Sequence, residues 1–323
     1  MNILFLTHPG PNYVPDLLLH GLRKLLGEKV VDYPKKECLY SGLQEGKHPE
    51  IYCDPFWFPD DNDKIDRGDV ETKLRNRYFD YIISDVRSLS ILNIILKKFS
   101  GMRFRVIIID GEDLPVPINF GLFVICRRET DGTDYSIPLP MALPEEIFNR
   151  IASYDDNPKS YSIGFLGSAG KESDNRRELI EKIESYYPDT LLQATPISES
   201  EGKHPDERLG LDSYYDNLQR CSVVLTLRGA GYDTFRFWEN AACNALHLSE
   251  EMTLFVPNDF KDKQHIMRFS NIDELRMIMD NCLANKDETD KVIQNSRQHL
   301  IDYHLTTKRA TYFLDRVKRA FCL

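Results

Sequence analysis

The residues best placed for chemistry lie where an apolar run gives way to glycine. Positions 222–227 (Ser-Val-Val-Leu-Thr-Leu) read as a buried strand, which Arg228 ends and which Gly229, Ala230, Gly231 and Tyr232 follow. Asp233 or Thr234 can then cap a helix over 234–243. A glycine turn feeding a helix start leaves backbone N–H groups and the positive helix end pointing at whatever binds there, so phosphate is the natural ligand. Arg228 or Arg236 can meet phosphate charge, and Glu239 can accept hydrogen bonds from ribose hydroxyls. Arg236 and Glu239 are also spaced as an ordinary i,i+3 surface pair worth a few tenths of a kcal/mol. The strand–Arg–Gly–helix context favours the site. On the expected helix, Phe235, Trp238, Ala242 and Ala245 form the core stripe, with Arg236, Glu239, Asn240 and Cys243 on a neighbouring polar face.

Other candidates sit at the ends of apolar runs. Gly167-Ser168-Ala169-Gly170 reads as a second glycine turn, beside Lys171, Arg176 and Arg177. His8 follows the first apolar run, where an imidazole can serve as a general base or simply be a loop histidine among prolines. Asp110, Glu112 and Asp113 follow the clearest buried run, 105–110, and offer either a base or ligands for acceptor hydroxyls; the alternative is turn chemistry. Arg127 and Arg128, after the next run, either counter these acids or meet an anionic acceptor. Asp61-Asn62-Asp63 has the form of a metal-binding Asp-x-Asp but lies in a Pro/Asp-rich stretch, so it reads as solvated loop. The eight histidines show no metal-ligand spacing.

The elements that position these residues repeat one theme. Apolar strand, breaker and amphipathic helix succeed one another over 3–7, 14–26 and 30–33, then at 78–84, 89–99, 105–110 and 120–126, with an irregular excursion over 35–68. The polar stretch 153–160 reads as a linker, after which the pattern restarts: strand 161–166, helix 176–186, strand 190–194, helix 214–219, strand 222–227, helix 234–243, strand 245–248. Two helices, 272–284 and 287–303, and a final segment 306–321 close the chain. This order predicts an α/β protein of two tandem Rossmann-like domains, 1–155 and 156–305, facing across a cleft, with 306–323 packing back towards the first. A length of 323 residues fits two domains.

The chain carries 41 basic and 51 acidic side chains, a formal net charge of −10, which argues against a nucleic-acid binder yet leaves room for a local basic pocket. Seven cysteines at 38, 53, 126, 221, 243, 282 and 322 include no CxxC pair, so they read as reduced thiols and not as a zinc site. The N-terminus lacks a signal peptide's basic and apolar regions, and no apolar run nears the roughly 20 residues that cross a bilayer. A cytoplasmic setting without an integral membrane segment is the expectation.

The stretch 227–245 resembles the donor-site segment of GT-B glycosyltransferases, closest to the exostosin type and the spore-maturation (CgeB-like) group, in which an Arg-Gly turn precedes a Phe-Arg-x-Trp/Phe-Glu-Ala helix. The restart 163–168 with Arg176-Arg177, the stretch 269–276 and the stretch 295–300 are similar to the same families, so the resemblance covers about residues 160–320. The chain departs from the pattern at Asn240, where alanine is usual, at Asn244, where glycine is common, and at His247, where no second glutamate follows Glu239. The resemblance implies a nucleotide-sugar donor, a UDP-sugar, held by the C-terminal domain, an acceptor side on the N-terminal domain, and no essential metal or further cofactor. The donor set is then Gly167, Ser168, Arg176, Arg228, Gly229, Gly231, Tyr232, Asp233, Thr234, Arg236 and Glu239, and the base is His8, Asp110, Glu112 or Asp113. The acceptor, a saccharide, protein or small molecule, stays open. Two other readings compete: an NAD(P)-dependent oxidoreductase built on Gly229-x-Gly231, with Glu250/Glu251 some twenty residues on, and a non-catalytic GT-B-like binding module.

Overall fold

The computed structural model describes residues 1–40, 64–118, 123–169, 174–196 and 209–322. Asp61-Asn62-Asp63, Gly170, Lys171 and most of the expected excursion lie outside the described residues. Packing divides the chain into two units, 1–144 with 254–256 and 305–323, and 145–253 with 257–304. Composition alone put the boundary after residue 155; the packing boundary falls earlier because helix 145–152 sides with the second unit.

The first unit contains β1 (Ile3–Leu6), α1 (Tyr13–Leu26), β2 (Val30–Tyr33), α2 (Val70–Arg75), β3 (Tyr81–Asp85), α3 (Leu89–Lys98), β4 (Val106–Asp110), β5 (Val124–Arg127) and β6 (Ile137–Pro138). Its sheet has the order β2-β1-β3-β4-β5-β6, and every pairing is parallel. The β4 run Val-Ile-Ile-Ile is at most 1% exposed, as expected of an inner strand covered on both faces. The parallel order brings the carboxyl ends of β1, β3 and β4 to one edge, so His8, Asp85 and Asp110 share it.

The second unit contains α4 (Glu145–Ala152), β7 (Tyr161–Ala169), α5 (Asp174–Tyr186), β8 (Thr190–Pro196), α6 (Leu211–Gln219), β9 (Cys221–Thr226), α7 (Phe235–Ala242), β10 (Leu246–Glu250), β11 (Met267–Phe269), α8 (Ile272–Ala284) and α9 (Lys286–Tyr303). Its parallel sheet has the order β11-β10-β9-β7-β8, over a core that includes Ile163, Phe165, Val223, Leu225, Leu246 and Leu248. The last helix, α10 (Thr306–Cys322), belongs to the first unit, where Gly21 of α1 lets it approach closely: a Cβ there would lie 2.1 Å from the Thr306 carbonyl oxygen. His20 Nδ1 and Thr306 Oγ1, 2.8 Å apart, join the helices beside it.

Two expectations need correction. The run 167–169 is not a turn: β7 continues through Ala169, with Gly167 opposite Ala194 and Ser168 opposite Thr195. Gly167 serves a side chain instead of a backbone bend, since a Cβ on it would stand 2.3 Å from Arg236 Nη2. Nor does α7 carry an exposed polar face. Phe237 through Ala242 are all buried, with Glu239 6% and Asn240 1% exposed, so its polar groups pair inside the fold.

Candidate functional site

At the carboxyl edge of the second sheet, three arginines from separate elements come together around the turn after β9. Arg176, in the first turn of α5, and Arg236, in the first turn of α7, both lie over the buried Phe165 ring, with guanidinium carbons 5.4 and 4.8 Å from its centroid. Arg176 Nη2 donates to the carbonyls of Leu227 (3.1 Å) and Arg228, which ties α5 to the end of β9. Arg236 Nε donates to the Leu166 carbonyl at 2.7 Å, and its fork lies in the space left by Gly167. Arg236 makes no ion pair with any described residue. Burial and the adjacent Arg236 charge pull the Arg176 pKa down to about 10, so Arg176 stays charged near neutrality while repelling its neighbour. Like charges this close are relieved by an anion.

Arg228 is exposed, its guanidinium carbon 4.2 Å above the Tyr232 ring and its Nη1 3.3 Å from the Tyr232 hydroxyl. Its backbone N–H donates to Glu250 Oε2 at 2.8 Å. The turn is drawn tight by Gly229 N–H donating to the Gly231 carbonyl at 3.0 Å. Thr234 takes the N-cap position in extended conformation, but its hydroxyl caps nothing: Oγ1 is buried without a hydrogen-bond partner among the described residues. Buried hydroxyls are rarely left so, and a ligand at the helix entry would complete this one. Asp233, 2% exposed, accepts the Trp238 indole N–H at 2.8 Å and anchors the turn to the core.

Glu239 is held from α6. Its two oxygens accept the hydroxyls of Tyr215 (2.8 Å) and Tyr214 (3.1 Å), and burial pushes its pKa up. The surface-pair reading of Arg236 and Glu239 therefore fails, and a ribose at Glu239 would have to share or displace the tyrosines. The departures Asn240 and His247 meet at one hydroxyl: Thr226 Oγ1 lies 2.9 Å from Asn240 Nδ2 and 2.9 Å from His247 Nε2. His247 is 1% exposed with Nδ1 unpaired among the described residues, and burial lowers its pKa to about 3.

The first-unit candidates are mostly committed elsewhere. Glu112 forms a bidentate pair with Arg87 (Nε–Oε1 2.5 Å, Nη2–Oε2 2.8 Å), which lowers its pKa. Asp113 pairs with Arg128 at 2.8 Å. Asp110, 1% exposed and raised in pKa by burial, accepts the Val116 N–H at 2.8 Å and lies 3.4 Å from Arg127 Nε, so it braces the loop after β4. The ion-pair reading of Arg127 and Arg128 is the one the structure bears out. His8 Nδ1 accepts the Gly10 N–H at 3.1 Å, which puts the proton of the neutral ring on Nε2. Lys36, buried and without any sequence signal, holds this loop by donating to the His8 (2.7 Å) and Gly10 (2.6 Å) carbonyls and to Asp16 (3.0 Å). Phe165, Tyr214, Tyr215 and Glu250 were likewise missed as site components; only Glu250, as an acid some twenty residues after the glycine turn, left a trace.

A family profile described as glycosyl transferase-like matches residues 175–315. No curated protein matches the chain. Among solved structures, the chain is similar to HepE (Alr3699) of Anabaena in complex with UDP, at 10% identity over 99% of this chain and 100% of that one, TM-score 0.58. A glycosyltransferase of Rickettsia africae aligns at 11% identity over 98% of both chains, TM-score 0.62. Sucrose-phosphate synthase of Thermosynechococcus elongatus aligns at 9% identity over 100% of this chain and 99% of that one, TM-score 0.53. At such identities the likeness is one of fold: two parallel-sheet α/β domains of the GT-B class.

Proposed function

We propose that the chain is a glycosyltransferase that moves a sugar from a nucleoside-diphosphate sugar, a UDP-sugar, to an acceptor hydroxyl. The observation that carries this reading is the pair Arg176 and Arg236 on one Phe165 ring, beside the glycine turn and the start of α7, where the Thr234 hydroxyl is buried without a partner among the described residues. The match of residues 175–315 to a glycosyl transferase-like family and the UDP complex of HepE support it. In this reading the anomeric carbon–oxygen bond to the diphosphate breaks as the acceptor oxygen attacks. The negative charge that develops on the leaving diphosphate is met by Arg236, Arg228 and the first-turn N–H groups of α7, groups already in place before reaction. Arg236 and Arg228, with the first-turn N–H groups, supply the positive charge in this reading, which therefore calls on no divalent metal. Arg176 fixes the end of β9, and through it the turn. Glu239 orders α6 against α7 through its tyrosines. His8 is the candidate to receive the acceptor's proton, since Asp110, Glu112 and Asp113 are engaged; accepting it at Nε2 requires the ring to shift its proton to Nδ1 and release Gly10.

A thermal-shift panel tests the reading against the dinucleotide alternative. UDP is expected to raise the melting temperature by several degrees at concentrations well above Kd, with NAD and NADP inert. Stabilisation by NAD(P) and by no nucleoside diphosphate would overturn it.

A further inference from the structure

The loop after β1 offers its histidine one backbone donor. Pro9 and Pro11 have no N–H, so the only amide between His8 and Asn12 is that of Gly10, and it donates to His8 Nδ1 at 3.1 Å. The ring lies directly over Gly10, where a Cβ would stand 3.2 Å from Cε1 and 3.3 Å from Nδ1. An accepting Nδ1 puts the proton of the neutral ring on Nε2, the nitrogen that must be bare to take a proton from a hydroxyl.

Lys36 holds that amide in place from behind. It is 1% exposed, lies three residues past the end of β2, and donates to the carbonyls of His8 (2.7 Å) and Gly10 (2.6 Å) and to Asp16 Oδ1 (3.0 Å). An ammonium has three N–H groups, and these acceptors take all three. The two carbonyls belong to the peptide units on either side of the one that carries the Gly10 N–H. With both neighbours pinned and φ of Pro9 set by its ring, the middle unit has little freedom to turn away from Nδ1. Asp16 braces the arrangement: its Oδ2 accepts the Asn12 N–H at 2.9 Å, and Asn12 Nδ2 donates to Asp85 at 3.1 Å, at the end of β3. For stability alone, a buried ion pair gains little over apolar side chains of the same size. What Lys36 adds is a fixed direction for the Gly10 amide.

Resting on the reading above in which His8 receives the acceptor's proton, we propose that Lys36 is a positioning residue for that step: through the loop carbonyls it keeps the Gly10 N–H on Nδ1 and so holds the ring in the tautomer whose Nε2 is a donor. Before Nε2 accepts from a hydroxyl, the ring proton moves to Nδ1 and the Gly10 bond breaks. Releasing the loop therefore raises the share of the basic tautomer, by about two- to tenfold for a hydrogen bond of ordinary strength. The sign is the reverse of what simple damage to the loop would give.

Nitrogen NMR of the full chain labelled with ¹⁵N-histidine, in alkaline buffer where imidazoles are neutral, reads the tautomer without any ligand. The variants are Lys36→Met and Lys36→Met combined with Asp16→Asn, the second leaving no charge buried alone. His8→Gln identifies the His8 signals, and unchanged signals from the other histidines report the fold. Wild type is expected to show an unprotonated Nδ1 and a protonated Nε2; in both Lys36 variants the two signals move towards each other as the tautomers mix. UDP release from UDP-glucose, with water as the acceptor, is expected to rise about two- to tenfold in the same variants and to show no such rise when His8→Gln is added. A His8 pattern that folded Lys36 variants leave unchanged overturns the proposal, as does a release rate that falls, or that rises equally with His8→Gln. Absence of UDP release from every protein removes the reading that UDP-glucose is turned over, and the tautomer measurement then decides the role of Lys36 by itself.

Discussion

Arg236→Ala is expected to lower kcat/KM for donor consumption by about 10²- to 10³-fold, the usual range for losing a group aimed at developing oxyanion charge. The loss falls on kcat as well as KM, because the leaving diphosphate gains charge as the glycosidic bond breaks. Arg236→Lys does not restore activity. The guanidinium reaches the edge while its Nε is bound to the Leu166 carbonyl and its plane lies over Phe165, and an ammonium on a flexible stem reproduces neither contact. Gly167→Ala makes the stricter test, since it removes no charge. Its Cβ would come within 2.3 Å of Arg236 Nη2, and the guanidinium, as the free end of a flexible side chain, moves while the strand holds. Donor consumption is expected to fall at least about tenfold, the scale of one misplaced charged contact, with the melting temperature within a few degrees of wild type. Wild-type kinetics in Gly167→Ala would mean that the position of Arg236 is immaterial to the reaction.

His247→Gln is expected to alter how stability responds to acid. The folded pKa of His247, about 3, lies below the ordinary 6.5, because burial penalises the imidazolium and the Arg268 charge opposes it. The unfolded chain therefore binds this proton first. The stability His247 contributes is fully present above pH 6.5 and is lost progressively as pH falls from there towards 3, at about 1.4 kcal/mol per pH unit. His265, lowered to about 4, adds in the same direction. Asp16 opposes them: burial raises it to about 6, so it favours the folded state as pH falls from there towards its ordinary value. The clean quantity is the difference between wild type and His247→Gln. Glutamine keeps a hydrogen-bonding group towards Thr226 and removes the titration. Chemical denaturation at pH 7, 6 and 5 should show wild type losing ground to the variant by about one proton's slope below pH 6.5. A pH-independent difference would show that His247 titrates alike in both states.

Much of this architecture was legible because its signals are local. The strand at 106–110 is uninterrupted Val-Ile-Ile-Ile, and the passage from β9 through Arg228 and Gly229 into α7 combines a buried run, a glycine turn and a helix start within fifteen residues. What failed depends on contacts distant in sequence. Glycine usually marks a turn, but Gly167 clears room for a side chain 69 positions later, which no local pattern reveals. Periodicity sends Glu239 and Asn240 outward because they are polar; their partners Tyr214, Tyr215 and Thr226 come from α6 and β9 and make burial affordable. The acids after β4 had the residue types of a general base, and the pairing arginines Arg87 and Arg128 that engage two of them stand 25 and 15 positions away. Lys36 gave no sign because a buried lysine is distinguished only by the carbonyls around it.

Incubation of the chain with a panel of nucleoside-diphosphate sugars, read as nucleoside diphosphate released, bears most directly on the central claim. Release from a UDP-sugar by wild type that falls at least a hundredfold in Arg236→Ala is the predicted result. Release that Arg236→Ala leaves at the wild-type rate, or no release from any donor in the panel, would contradict it.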